Sequence, residues 1–294
     1  MLRKKAKLKR YLKIFELSVS IAVTVGFIYL FYIVIGLEKL IYFLKKVSIT
    51  DLLLAFILYI FSYITRTYRW KITLEIKDFK KLFKITSFNT VFNIFLPFRT
   101  GELSFFYMLK KEKIPFKESA FSFFTVRFFD ALSLFAVFVS SFLIYKGYIL
   151  LSVLLILVMP FSFYILKWII SYIRMDRFQE FNKNVLTLKN LISLYILSIL
   201  TFVFKFSGFY FVIPHGIEIT FIENFFAASA GDFTTILPIH GIAGIGTYEG
   251  GYAGILYLSG IDKDTALLSS VFVHIFILIG SAVTAGFSYL FLRK

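Results

Sequence analysis

Seven ionisable side chains, Arg99, Glu102, Arg127, Asp130, Lys205, Asp232 and Glu249, stand in or beside long apolar runs. Ionised groups at membrane depth are costly, face a protein interior or watery cavity, and mark function. Arg127 and Asp130 are three residues apart, so they share one helix face and can pair. Such a pair either lets both charges be buried, or holds the arginine against an anionic head group. Lys205 lies too far from either end of its run for its amine to reach the interface. It must face inward and seek a carboxylate, with Asp232 and Glu249 as candidates. Glu102 and Glu249 follow breaks in two matching segments, where a carboxylate caps a new helix start. Arg99, between Pro97 and Gly101, is either a phosphate seat beside free backbone N–H groups or a surface arginine reaching for the interface.

This inventory suits anion binding better than bond breaking. No nucleophile stands beside a base, and no Gly-x-Ser-x-Gly elbow occurs. The three histidines, His215, His240 and His274, do not fall at metal-ligand spacing, and cysteine is absent. The run Gly241 to Gly246 lacks the lysine and preceding strand of a nucleotide loop. No catalytic residue, metal or cofactor is expected.

The elements that position these residues are apolar helices. Apolar residues make up 59% of the 294, and phenylalanine alone supplies 40, more than a soluble domain can cover. Six segments are long enough to cross a bilayer: 15–36, 51–69, 118–145, 148–173, 189–213 and 264–292. The first is too long for a signal peptide and lacks a cleavage site, so it reads as a retained span. Pro160 reads as a kink in the fourth.

Two further apolar stretches, 85–109 and 220–259, are interrupted, and they resemble each other. One reads Asn93-Ile94-Phe95-Leu96-Pro97 and runs through Gly101 to Glu102; the other reads Thr235-Ile236-Leu237-Pro238 and runs through a glycine-rich stretch to Glu249. Each is followed by Lys-acid-Ser/Thr-Ala, at Lys117 to Ala120 and Lys263 to Ala266, and then by a long apolar helix. Paired Pro/Gly-broken segments in two halves point to a binding site at mid-membrane. The predicted fold is an all-α integral membrane protein of one polytopic domain, 1–294. It has about six full transmembrane helices plus two re-entrant hairpins, in repeat halves 51–145 and 189–292.

The charge of +16 follows topology and not nucleic acid, because 26 of the 33 Lys and Arg fall in loops on one side. The other side has Lys39, Lys45, Lys46, Lys146 and Lys263. Both termini are therefore expected in the cytoplasm of a cell with this protein in its plasma or inner membrane, with Trp70 and Trp168 at the cytoplasmic interface. Three spans separate the hairpins, so they should enter from opposite faces as an inverted repeat.

Several motifs in order carry a resemblance: Arg66-x-x-Arg69-Trp70, Asn93-x-x-x-Pro97-x-Arg99-x-Gly101-Glu102, Arg127-x-x-Asp130, and Pro238-Ile239-His240-Gly241 continuing through Gly244 and Gly246 to Glu249-Gly250. Together they resemble the transmembrane, flippase-like region of the lysylphosphatidylglycerol synthase family over residues 15–290. The resemblance implies translocation of a modified lipid. Lysyl transfer belongs to a separate soluble domain in that family, and none follows the last span here, so it is not expected. Similar regions accompany glycosyltransferases acting on polyprenyl-phosphate lipids, which keeps that lipid class open. A second arginine expected in the last span is His274 here, which either stays neutral or titrates near neutral pH.

The leading expectation is binding and translocation of an anionic lipid, of phospholipid or polyprenyl-phosphate type. Its phosphate would lie near Arg99 and Arg127, within a shell of Glu102, Asp130, Lys205, Asp232, Glu249 and His274. The alternative is an accessory membrane subunit that recruits a lipid-modifying enzyme, such as a glycosyltransferase, through the basic loops 66–84 and 174–189.

Overall fold

A computed structural model describes residues 2–74, 76–96, 101–163, 168, 185–235 and 241–292, with side chains from Ser18 onward. Eleven α-helices follow one another among these residues: α1 Leu2–Val34, α2 Gly36–Leu44, α3 Ile49–Thr73, α4 Phe79–Phe95, α5 Glu102–Lys111, α6 Phe116–Tyr145, α7 Ile149–Val158, α8 Leu188–Tyr210, α9 Phe221–Thr234, α10 Thr247–Leu258 and α11 Lys263–Phe291. No strand occurs among the described residues.

Local chemistry sets many of the boundaries. Ser48, Asp78, Thr187, Thr220 and Asp262 each cap a helix by accepting a hydrogen bond from a backbone N–H of its first turn. At Thr220 the bond is reciprocal, since Glu223 reaches back to its N–H. Helix α4 ends where Leu96 turns extended, because the following Pro97 crowds a helical residue before it. Gly101 starts α5 with no room for a side chain, as a Cβ there would lie 2.3 Å from the backbone of Phe92 and Asn93.

Four helices, α3, α6, α8 and α11, are long and apolar enough to cross a membrane, and α1–α2 makes a fifth if taken as one bent span. Six were expected. The stretch 15–36 instead lies in α1, which runs on into an 83° bend to α2, with Gly36 in the left-handed region at φ 75°. The expected span 148–173 is seen as α7 followed by a single 3-10 turn at Met159–Phe161 around Pro160. Most of its remainder lies outside the described residues. Both interrupted stretches form helical hairpins, α4 on α5 and α9 on α10.

The packing has an internal pattern. Helix α3 packs most extensively on α8. Helix α4 packs on α11 while α9 packs on α6, and α6 meets α8 while α3 meets α11. Exchanging α3–α6 for α8–α11 leaves this set of neighbours unchanged.

The surface is inverted relative to a soluble protein. Ile28, Tyr29, Leu30, Leu150, Leu157, Phe287 and Leu290 are exposed, while Ser62, Thr65, Thr67, Ser122, Thr201 and Ser281 are buried. The buried hydroxyls bridge helices: Thr65 to Thr201 at 2.8 Å, Thr73 to Ser122 at 2.5 Å, Tyr59 to Ser281 at 2.7 Å. Small and hydroxylated residues bring helices together where lipid gives no hydrophobic drive. Gly208 is one such contact, since a Cβ there would lie 3.0 Å from the carbonyl oxygen of Ala55 in α3. Trp70, at the end of α3, is packed against protein, only 3% exposed with its ring centroid 4.3 Å from that of Phe105.

Candidate functional site

The charged residues on α3, α6, α8 and α9 converge on one cavity between the two hairpins. It offers about 190 Å³ to the centres of water-sized molecules. Lining it are Arg66 and Arg69 from α3, Glu102 from α5, Arg127 and Asp130 from α6, Lys205 from α8, Asp232 from α9 and His274 from α11. Asn89, Thr90 and Asn93 of α4, with Tyr63 and Tyr248, complete the polar wall.

The charges are wired in three groups. Asp130 accepts from Arg69, and at 3.1 Å from Arg127, as the three-residue spacing predicted. Arg127 also reaches Glu102 at 3.2 Å, so the α5 carboxylate holds a helix-six cation and not merely its own helix start. Arg69 has a side chain of zero exposure and also donates to Ser198 at 2.7 Å.

Lys205 donates to Asp232 at 2.5 Å. Of its two candidate partners Asp232 is therefore the one reached, with Glu249 turned elsewhere. Helix α9 presents Asp232 along a face of small residues, Ala227, Ala228 and Gly231, that lets α8 and α10 pack closely.

Glu249 is buried and forms the third group. One oxygen lies 2.6 Å from His274 Nδ1, and the other accepts from the Gly246 N–H at 2.7 Å. His274 Nε2 lies 3.0 Å from the carbonyl oxygen of Ala243. A carbonyl only accepts, so Nε2 carries a hydrogen.

Several donors are left over. Arg69 Nε and Nη2, Arg127 Nε, and the hydroxyls of Tyr63 and Tyr248 are buried with no hydrogen-bond partner among the described residues. All belong to residues lining the cavity. A buried donor without a partner costs about 1–3 kcal/mol, more for a charged group.

The structure thus brings together Glu102, Arg127, Asp130, Lys205, Asp232 and His274, with Glu249 directly behind His274. Arg99 lies outside the described residues. Arg66 and Arg69 were not among the expected site residues. At the end of an apolar run they count as cytoplasmic loop charges, yet both belong to α3 and line the cavity. Their spacing of three was the available signal, since it places them on one helix face. Among the described residues, no three His, Asp or Glu side chains converge as a metal site.

The family model described as lysylphosphatidylglycerol synthase TM region matches residues 17–284. No curated protein and no solved structure matches the chain.

Proposed function

The chain belongs to the lysylphosphatidylglycerol synthase TM-region family, and on that premise we propose that it binds the anionic head group of a membrane lipid in this cavity and carries it across the bilayer. The observation that carries the proposal is the charge of the cavity lining, Arg66, Arg69, Arg127 and Lys205 against Glu102, Asp130 and Asp232, on residues several of which have further donors without a partner among the described residues. A phosphate oxygen accepts from several donors at once, and Arg offers them in a planar fork. The acyl or prenyl tails stay in the bilayer against the exposed Phe, Leu and Ile side chains, so only the head group needs a polar path. No bond-breaking step is assigned to the chain.

In this reading the halves α3–α6 and α8–α11 are an inverted repeat, dipping into the membrane from opposite faces. The exchange symmetry of helix neighbours supports it. Two such halves rocking about a shared central site expose it to each side in turn. In the same reading both termini are cytoplasmic and the protein lies in the cell membrane; the one-sided distribution of lysine and arginine supports the orientation.

The test is movement of a fluorescent anionic lipid between leaflets of vesicles holding the purified protein. Wild type should exceed empty vesicles, and Arg127→Ala should fall well below wild type. Equal rates for the two, or none above empty vesicles, overturn the transport reading. Saturable lipid binding without movement would move the assignment to an accessory subunit that holds lipid for a partner enzyme.

A further inference from the structure

The two halves can be superimposed by counting from helix starts. Arg66 and Lys205 stand at the same distance from the first residues of α3 and α8. Thr90 and Asp232 stand at the same distance from the first residues of α4 and α9, and Arg127 and His274 from those of α6 and α11. The contacts repeat with the positions. Lys205 donates to Asp232 at 2.5 Å, and Arg66 donates to Thr90 at 3.1 Å. Arg127 pairs with Glu102 of its own hairpin, and His274 with Glu249 of its own.

One exchange breaks the electrostatic symmetry. Where the second half sets a carboxylate against its cation, the first half sets a hydroxyl. The Thr90 hydroxyl already donates to the Thr86 carbonyl at 2.9 Å, so it offers Arg66 only neutral lone pairs and no charge. Arg66 has no carboxylate within ion-pair distance among the described residues, and its nearest ring is Tyr63, 5.9 Å from the guanidinium carbon to the centroid. That same Tyr63 has the orphaned hydroxyl. Arg69, one helical turn on, has two orphaned guanidinium nitrogens. Of the described lining residues four are cationic, Arg66, Arg69, Arg127 and Lys205, against the three carboxylates Glu102, Asp130 and Asp232.

We infer that Arg66, released by the threonine at position 90, is the seat of the ligand's charge, and that it takes a phosphodiester bearing a single negative charge. This rests on the lipid-binding reading and adds to it the residue that holds the phosphate and the charge it selects. The ligand supplies in the first half what Asp232 supplies in the second. Arg127 has its charge balanced by two carboxylates, Glu102 and Asp130, with only its Nε left without a partner among the described residues. A phosphodiester monoanion occurs in a lipid head group and in a free glycerophosphodiester, and a phosphate monoester carries about one further charge near neutral pH.

The test is equilibrium binding to the purified full chain in detergent. The probes are a short-chain phosphatidylglycerol, its water-soluble deacylated head group and inorganic phosphate. Wild type should bind the lipid saturably, more tightly than the deacylated head group, and inorganic phosphate should compete weakly. Thr90→Asp gives Arg66 the partner that Lys205 has, and should weaken lipid binding by ~10-fold or more, the scale of a charge-assisted hydrogen bond lost. Arg66→Gln should do the same. Thr90→Asn, polar and uncharged, should weaken binding clearly less than Thr90→Asp, as it adds no counter-charge to Arg66. Thr90→Asp or Arg66→Gln binding as tightly as wild type overturns the inference while leaving the lipid reading intact. Equal weakening by Thr90→Asn and Thr90→Asp also overturns it, since shape and not charge would then decide. Inorganic phosphate or the free head group binding as well as the lipid overturns the assignment to a lipid. No saturable binding of any probe by wild type sinks the lipid reading itself. Where Thr90→Asp does not fold, Arg66→Gln carries the same decision.

Discussion

Replacing Asp130 with asparagine leaves a buried cation with no counter-charge, and its cost can be worked from the contacts. Asp130 serves two arginines, but they are not equally dependent on it. Arg127 keeps Glu102 at 3.2 Å and is about one-third exposed to the cavity. Arg69 has no exposure and keeps only the Ser198 hydroxyl at 2.7 Å. The loss therefore falls on Arg69. Breaking a buried pair from one side costs about 3–5 kcal/mol, because the remaining charge stays buried and unpaired. Asp130 itself is 19% exposed, so the lower end applies. At the scaling for large domains, Asp130→Asn should melt roughly 6–12 °C below wild type in detergent. The double variant Arg69→Met/Asp130→Leu should recover most of that, since it removes both charges and refills the volume. The assay is thermal unfolding followed by loss of the monodisperse peak, with a double-mutant cycle over the two positions. An Asp130→Asn melting point within about 2 °C of wild type would refute the reasoning, as would a double variant no more stable than the single one.

Three further outcomes are expected. In vesicles, Arg127→Ala should lower the rate of lipid movement, for the reasons given above. Gly101→Ala should destabilise the first hairpin by about 1–3 kcal/mol, the cost of overpacking, because the new methyl would meet the Phe92 and Asn93 backbone at 2.3 Å; an unchanged melting point would show that α4 and α5 do not meet as described. Asp262→Ala should cost about 1 kcal/mol by uncapping α11. The Asp262 carboxyl is held below the usual carboxylate range by hydrogen bonds from the Thr265 side chain and N–H, the latter at 3.0 Å. A depressed folded-state value means that its contribution is present above the unfolded value, about 3.9, and is lost as pH falls through the folded one. The difference in melting point between Asp262→Ala and wild type should therefore shrink as pH is lowered below about 4, and a difference constant with pH would contradict the cap.

The membrane character, the two broken segments and the inward charges were legible from residue order alone. Leu96 before Pro97, and Gly101, end and restart a helix through backbone sterics that act within a few residues. Arg127 and Asp130 had to share a face because a helix repeats about every 3.6 residues. Lys205 had to find a carboxylate because an unpaired ammonium cannot rest in that environment. Everything in that set follows from covalent geometry and solvation. Which carboxylate Lys205 takes was not legible, since Asp232 and Glu249 both suited it until the packing of α9 on α8 put one at 2.5 Å. Arg66 and Arg69 looked like cytoplasmic loop charges because hydropathy averages over a window and does not see where a helix ends. The bend between α1 and α2 was hidden for the same reason: an apolar run reads alike whether straight or folded at Gly36. The match of Arg66 with Lys205, and of Thr90 with Asp232, appears only once helix starts are known, since loops of unequal length shift the two halves in number. Composition and local periodicity thus determined which groups must be buried and paired. The choice of partner, and with it the arginine that among the described residues has no carboxylate, came from how helices distant in the chain pack, because pairing energies fall off within a few ångströms and depend on where side chains end up in space.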